Sequence, residues 1–220
     1  MIGVLVPAHN EEQVLENCLR SLQEAARHPD LDGEPVCILV VLDACTDASE
    51  AVVRSLGVAV LRVEERNVGH ARRAGAAQLL EAGARWLACT DADSSVSRDW
   101  LVRQLAFNAE AVCGTVRVDD WSQHAEHVRL QHERHYQSRE NHRHIHGANL
   151  GICALAYQRV GGFRPLASDE DVHLVRELER SGARIVWTHQ TCVTTSARHD
   201  YRALGGFGEF LQGLDGPATL

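Results

Sequence analysis

Trp86-Leu87-Ala88-Cys89-Thr90-Asp91-Ala92-Asp93 is the stretch on which the reading of this chain turns. The mostly apolar run 86–90 has the length of a buried strand, and two carboxylates follow it at i and i+2. In α/β proteins, ligands gather just beyond the carboxyl ends of parallel strands. Two aspartates so close repel one another unless a positive charge joins them, and a divalent cation commonly does. A cation held by few carboxylates keeps open positions that phosphate oxygens fill. The stretch therefore points to a metal–diphosphate site, with an ordinary surface turn as the competing explanation.

Upstream, β-rich runs alternate with helical patterns. Residues 2–6 read as a strand, and 11–27 as a helix with Val14, Leu15, Cys18, Leu19 and Leu22 on one face. The continuous apolar run 36–42 suits a central parallel strand. A helix over 47–56, a strand over 58–63 and a helix over 69–83 lead back to 86–90. Such alternation predicts a three-layer α/β/α fold with a mainly parallel sheet and right-handed crossovers. Downstream, a helix near 98–109 and a strand near 111–118 precede a polar segment, 120–146, expected to be mostly helical. A Gly-rich strand region (147–157), a helix (169–181) and a strand (184–188) follow. The expected domain is 1–195, split into halves 1–93 and 94–195, with 196–220 a loop-rich tail covering the site or flexible.

The composition narrows the function classes. A chain of 220 residues with 45% hydrophobic and 24% charged residues is an ordinary single-domain protein. Its net charge of −8 argues against nucleic-acid or anionic-lipid partners. No run approaches the roughly 20 apolar residues that span a bilayer, so no transmembrane segment is expected. The strand-like Ile2–Val6 leaves no space for a signal sequence. Seven cysteines, scattered and without a Cys-x-x-Cys pair, read as reduced buried thiols, and the expected location is cytoplasmic.

The other strand ends carry polar groups too. Pro7-Ala8-His9-Asn10-Glu11-Glu12 follows the first strand, with Asn10 read as a helix N-cap and the glutamates in the first turn. Asp43-Ala44-Cys45-Thr46-Asp47 follows the second, and Arg66-Asn67-Val68-Gly69 the third. Each alone reads equally as a cap or turn. Together, at one edge of a parallel sheet, they converge on one cleft and favour a nucleoside-diphosphate site.

These pieces, with Asn67-Val68-Gly69-His70-Ala71-Arg72, Gly147-Ala148-Asn149-Leu150, Gly161-Gly162-Phe163 and Ser168-Asp169-Glu170-Asp171, resemble the family 2 glycosyltransferases of GT-A fold. They run in family order over residues 1–175, with a possible extension to Thr195-Ser196-Ala197-Arg198. The resemblance implies a metal-dependent transfer of sugar from a UDP- or GDP-linked donor to an acceptor hydroxyl. It implies that Asp43 meets the nucleobase edge, with Pro7, Ala8 and Glu11 lining the base and ribose pocket. Asp91 would contact ribose or order the metal's water, and Asp93 would ligate Mn2+ or Mg2+. Asn67, Arg72, Glu170 and Arg198 fall among the implied substrate-binding positions. Gly147 and Asn149 would belong to the acceptor side, and Asp171 would be the general base of an inverting displacement.

Two departures bear on these expectations. The family's second-strand motif usually has adjacent aspartates, where this chain has Leu42-Asp43. The Gln/Arg-rich motif and membrane helices of processive synthases are missing, which puts polymer synthesis in doubt. A nucleotidyltransferase would show a basic, Gly-rich loop after the first strand, which Pro7–Asn10 is not. A noncatalytic nucleotide-sugar-binding protein would have no need of both Asp93 and Asp171.

Histidine leaves alternatives open. Seven of thirteen lie between 124 and 146, at spacings that scatter around a helix and read as solvated, with His146 best placed to face the cleft. His199 could complete the metal shell, some relatives of that type being retaining enzymes, or could be a surface side chain. Asp169-Glu170-Asp171 could cap a helix as well as serve chemistry.

Overall fold

The structure is a computed structural model and describes residues 1–198. Eight strands form one sheet: β1 (Ile2–Ala8), β2 (Val36–Asp43), β3 (Ala59–Val63), β4 (Trp86–Cys89), β5 (Ser95–Val96), β6 (Ala111–Val118), β7 (Leu150–Cys153) and β8 (Ile185–Thr195). Their order is β3-β2-β1-β4-β7-β6-β8-β5. The first four are mutually parallel; β7 runs antiparallel to β4 and β6, and β5 antiparallel to β8. The sheet is therefore mixed, its parallel half being the expected one.

Alternation along β1 sets the three layers. Ile2, Val4, Val6 and Ala8 face one side, where they pack with Leu15, Cys18, Leu19 and Leu22 of α1 (Leu15–Ala26), Val53 of α2 (Ser49–Ser55) and Trp100 of α4 (Trp100–Ala106). Leu5 faces the other, with Ala71, Ala76 and Leu79 of α3 (Val68–Glu81), Tyr157 of α6 (Ala154–Arg159) and Leu174, Val175 and Leu178 of α7 (Glu170–Arg180). α3 comes close enough to the sheet that a Cβ on Gly75 would lie 2.3 Å from Leu5 Cδ1. All seven cysteines are free thiols.

Three sequence expectations are corrected. Helix α1 begins at Leu15, because Glu11–Val14 forms a turn whose Glu11 carbonyl accepts from Val14 and Leu15. Asn10 is consequently no N-cap: it has φ 55°, and its Oδ1 accepts from Thr46 N at 2.7 Å. The 120–146 segment is helical only over α5 (Glu126–His135). Beyond Tyr136 the chain is non-helical, and His142, His144 and His146 project to one side at a period of two. Their rings stack on neighbours, His142 on His144 at 5.4 Å and His144 on His146 at 5.9 Å between centroids. Far from being solvated, His132 and His142 are buried. Tyr136 lies between His132 (5.0 Å) and His144 (4.3 Å), closing an imidazole–phenol column.

β8 also runs on to Thr195, well past the expected 188. Its pairing with β6 slips between Gly114/Thr115, where Thr188 is followed in register by Cys192 and residues 189–191 bulge. Asn149 repairs the gap. Its buried amide donates to Thr115 O at 2.7 Å and to Thr191 O, while Oδ1 accepts from Trp100 Nε1 at 2.9 Å. Only glycine fits opposite: a Cβ on Gly114 would sit 2.1 Å from Asn149 Nδ2.

Candidate active site

The carboxyl ends of β1, β2 and β4 lie side by side, Ala8 opposite Leu42 and Leu5 opposite Cys89. Their loops therefore share one edge, as the strand alternation predicts. Pro7 and Ala8 end β1 there. Asp43, at the end of β2, is buried and committed to backbone: Oδ1 accepts from the amides of Glu65 and Arg66, both at 2.8 Å, and Oδ2 from Asn67 at 2.7 Å. These bonds fold residues 65–67 into the entry of α3, where Asn67 caps the helix through His70 N at 2.8 Å. An ionised carboxylate offers about four lone-pair directions, so one remains for a ligand.

Beyond β4, Asp93 lies among weak partners: Ser94 Oγ at 3.4 Å, Thr195 Oγ1 at 3.5 Å and Arg198 Nη2 at 3.9 Å. Burial, reinforced by the Asp91 and Glu11 charges, pushes the Asp93 carboxyl up to about 7, against the pull of Arg198. Glu11 is ion-paired with Arg198 through one oxygen, and its other, buried oxygen has no hydrogen-bond partner. Arg198 is shared between Glu11 and Asp93, so the two carboxylates outnumber it, and a divalent cation would suit the remaining negative charge. Among the described residues, no set of three or more His, Cys, Asp and Glu side chains is arranged to hold a metal. His199, the expected second ligand, lies outside the described residues. A cleft of about 360 Å³ opens beside Glu11 and Arg198, with Asn10, Thr46, Asp47 and Gln123 on its walls.

The acceptor-side residues meet the same edge. Gly147 and Asp171 are joined: the Gly147 amide donates to Asp171 Oδ2 at 2.5 Å, while Oδ1 accepts from Val172 N at 2.7 Å. Burial raises the Asp171 carboxyl above the usual range, and the Arg72 guanidinium opposes the rise. Arg72 is itself buried, forked between Glu170 and Asp91. Gly147 packs against that guanidinium so tightly that a Cβ would lie 2.4 Å from Nη2.

Of the acidic trio, only Asp171 meets a first-turn amide of α7, that of Val172. Asp169, the residue before the helix, makes no capping bond, Glu170 is taken by Arg72, and Asp171 faces Gly147. Asn149 is a further correction: its side chain is an internal strut with all its hydrogen-bonding atoms spent, so it does not line a pocket. Arg72 and Glu170 likewise face one another. The hydroxyls of Ser94 and Thr195, bonded to each other at 2.9 Å beside Asp93, were not foreseen. Adjacency to Asp93 could have flagged Ser94; Thr195 opens the possible motif Thr195-Ser196-Ala197-Arg198, though without a role of its own.

Comparison with known proteins gives the family. The Glycosyl transferase family 2 model matches residues 3–164. A search of curated proteins returned no match. Among solved structures, S. aureus TarS 1–349 in complex with UDP-GlcNAc superposes with TM-score 0.69 at 16% identity, covering 91% of this chain and 60% of that one. Mannosyltransferase PcManGT from Pyrobaculum calidifontis, in complex with GDP-Man and Mn2+, gives 0.67 at 22% identity, with coverages of 90% and 57%. GalNAc-T7 with UDP, GalNAc and Mn2+ gives 0.66 at 16%, with coverages of 89% and 43%. At such identities the likeness is one of fold, and the chain spans at most 60% of these structures' lengths. The family match extends over most of the chain and over the first three strand-end loops, Asp91–Asp93 and Gly147: this protein belongs to glycosyl transferase family 2 and has the GT-A fold.

Proposed function

We propose that the chain transfers a sugar from a UDP- or GDP-linked donor to an acceptor hydroxyl with inversion, using Asp171 as general base and Asp93 as a ligand of Mn2+ or Mg2+. The observation that carries this reading is the shared edge. Asp91 and Asp93 leave β4 while Gly147 and Asp171 close on the same place, with one guanidinium between the two sets. Residues 1–93 form the donor half and 94–195 the acceptor half of one domain. The seven free thiols and the lack of a membrane-crossing helix among the described residues suit a cytoplasmic setting.

The β2 end orders the 65–67 loop for the nucleoside, leaving one Asp43 lone pair toward a base edge. Asp93, with His199 as its suggested partner, holds the cation, which when bound neutralises charge growing on the departing diphosphate. Asp171 takes the proton as the acceptor oxygen bonds to the anomeric carbon. The bond from that carbon to the diphosphate oxygen breaks, and the nucleoside diphosphate leaves with the electron pair. The raised Asp171 carboxyl makes it a stronger base than a solvated aspartate.

A panel of UDP- and GDP-sugars, read by nucleoside-diphosphate release with Mn2+ or Mg2+, tests this directly. Asp171→Asn is expected to bind donor and lose turnover by 10²-fold or more. Asp93→Ala should lose turnover and the metal dependence of donor binding together. Wild-type-like activity in either variant refutes the role given to that residue. A nucleotidyltransferase would release no nucleoside diphosphate from these donors, and would instead form pyrophosphate from a nucleoside triphosphate and a sugar phosphate.

A further inference from the structure

We propose that Arg72 and Glu170 are positioning residues for the transfer and make no contact with the donor: their buried ion pair sets Asp91 on the donor side and the Gly147–Asp171 contact on the acceptor side through a single guanidinium. The inference rests on Asp171 being the base.

Four observations carry it. The Arg72 and Glu170 side chains are 5% and 3% exposed, so neither is open to a ligand. The two Nη atoms of Arg72 are spent on Glu170 and Asp91, and its Nε is buried without a partner. An Arg fork fixes two carboxylates relative to each other, which a lysine ammonium does not. The backbone of Gly147 lies on the guanidinium face, and its amide is the one that holds Asp171 Oδ2. Movement of Arg72 therefore shifts the base and Asp91 together.

The same placement fixes a sign. The groups facing Asp171 are Arg72, Asp91 and the amides of Gly147 and Val172, with the thiols of Cys89 and Cys113 nearby and Glu170 preceding it on α7. Arg72 favours the ionised base. Glu170 neutralises part of that influence, so the two residues act on Asp171 in opposite directions.

The test compares pH profiles of kcat/KM for wild type, Arg72→Lys, Glu170→Gln and the double variant Arg72→Met/Glu170→Gln, with donor dissociation constants and melting temperatures. The double variant removes both members of the most deeply buried pair and leaves Asp91, 38% exposed, to be solvated by water, so it is the one best able to fold. The acid limb is expected to move down by about half a pH unit or more in Glu170→Gln and up by as much in the double variant. Arg72→Lys should lower kcat at least tenfold, with donor affinity within about threefold of wild type. A tenfold or greater loss of donor affinity with an unmoved limb would make Arg72 a substrate contact and overturn the proposal. Equal losses of activity and stability without limb movement would overturn it as well, leaving a purely structural pair. In both cases an inactive Asp171→Asn keeps the base assignment; an active one removes the base and this proposal with it.

Discussion

Replacing Asn149 with leucine tests whether the acceptor-side sheet depends on one buried amide. Leucine has the same branched shape and number of side-chain heavy atoms but no polar one, and its bulkier methyl groups fill the site and admit no water. Three partners lose their bond: the carbonyls of Thr115 and Thr191 and the indole Nε1 of Trp100. Each polar group stranded in the interior costs about 1–3 kcal/mol. Relaxation around a shared defect keeps the sum near the lower end, roughly 3–5 kcal/mol, a large share of a domain's usual stability of about 5–15 kcal/mol. For a chain of this size each kcal/mol corresponds to about 2–4 °C, so the melting temperature should fall by roughly 10 °C or more. Urea unfolding followed by Trp fluorescence and by far-UV circular dichroism measures the change. The bulge it supports leads to Thr195, beside Asp93, so turnover should drop even at temperatures where the variant stays folded. A loss below about 1 kcal/mol would refute the idea that the amide holds the bulge closed.

Two further outcomes are expected. His132, His142, His144 and His146 are held below the usual histidine range, largest cause burial, and His146 is lowered to about 3. The folded chain therefore binds fewer protons than the unfolded chain below pH 6.5, and stability falls as the pH falls, by up to about 1.4 kcal/mol per pH unit for a group that stays neutral, as His146 does. Urea midpoints at pH 7.5 and 5.5 should differ accordingly, and less so in His144→Phe; an identical slope in that variant would count against the column. Asp43→Asn should cost about 3 kcal/mol and expose the amides of residues 65–67 to hydrogen exchange, since a neutral amide cannot accept three N–H groups as the carboxylate does. Unchanged protection of those amides would contradict the role given to Asp43.

The parallel half was legible because its period is regular. Runs such as 36–42 are apolar throughout, as burial on both faces of a sheet demands, and the polar residues that follow them mark the edge. The carboxylates were legible for the same reason: position after a strand places Asp43, Asp91 and Asp93 without reference to any partner. What stayed hidden depends on partners distant in sequence. Asn149 reads as an acceptor-loop residue until Gly114 and the 189–191 bulge are opposite it. Arg72 and Glu170, separated by 98 positions, read as ligand contacts until they are found facing each other. The histidines misled through the wrong period. Positions 142, 144 and 146 alternate as an extended chain does, and the helical template applied to 120–146 concealed that.

The antiparallel seam between β4 and β7 has a consequence for engineering. Trp86 pairs with Cys153 and Cys89 with Leu150, so the strand that leads into Asp91–Asp93 is joined along its length to the strand that follows Gly147–Asn149. The seam is selective at Gly151 of β7, where a Cβ would lie 2.6 Å from Trp86 Cζ2 of β4, and the Arg72–Gly147 packing just beyond it tolerates no Cβ either. Under the proposed division, acceptor halves from related enzymes should be interchangeable across this junction when they bring glycine at 147 and 151 and glutamate at 170. Donor and acceptor preference would then be separable properties, recombined by exchanging one contiguous stretch of gene.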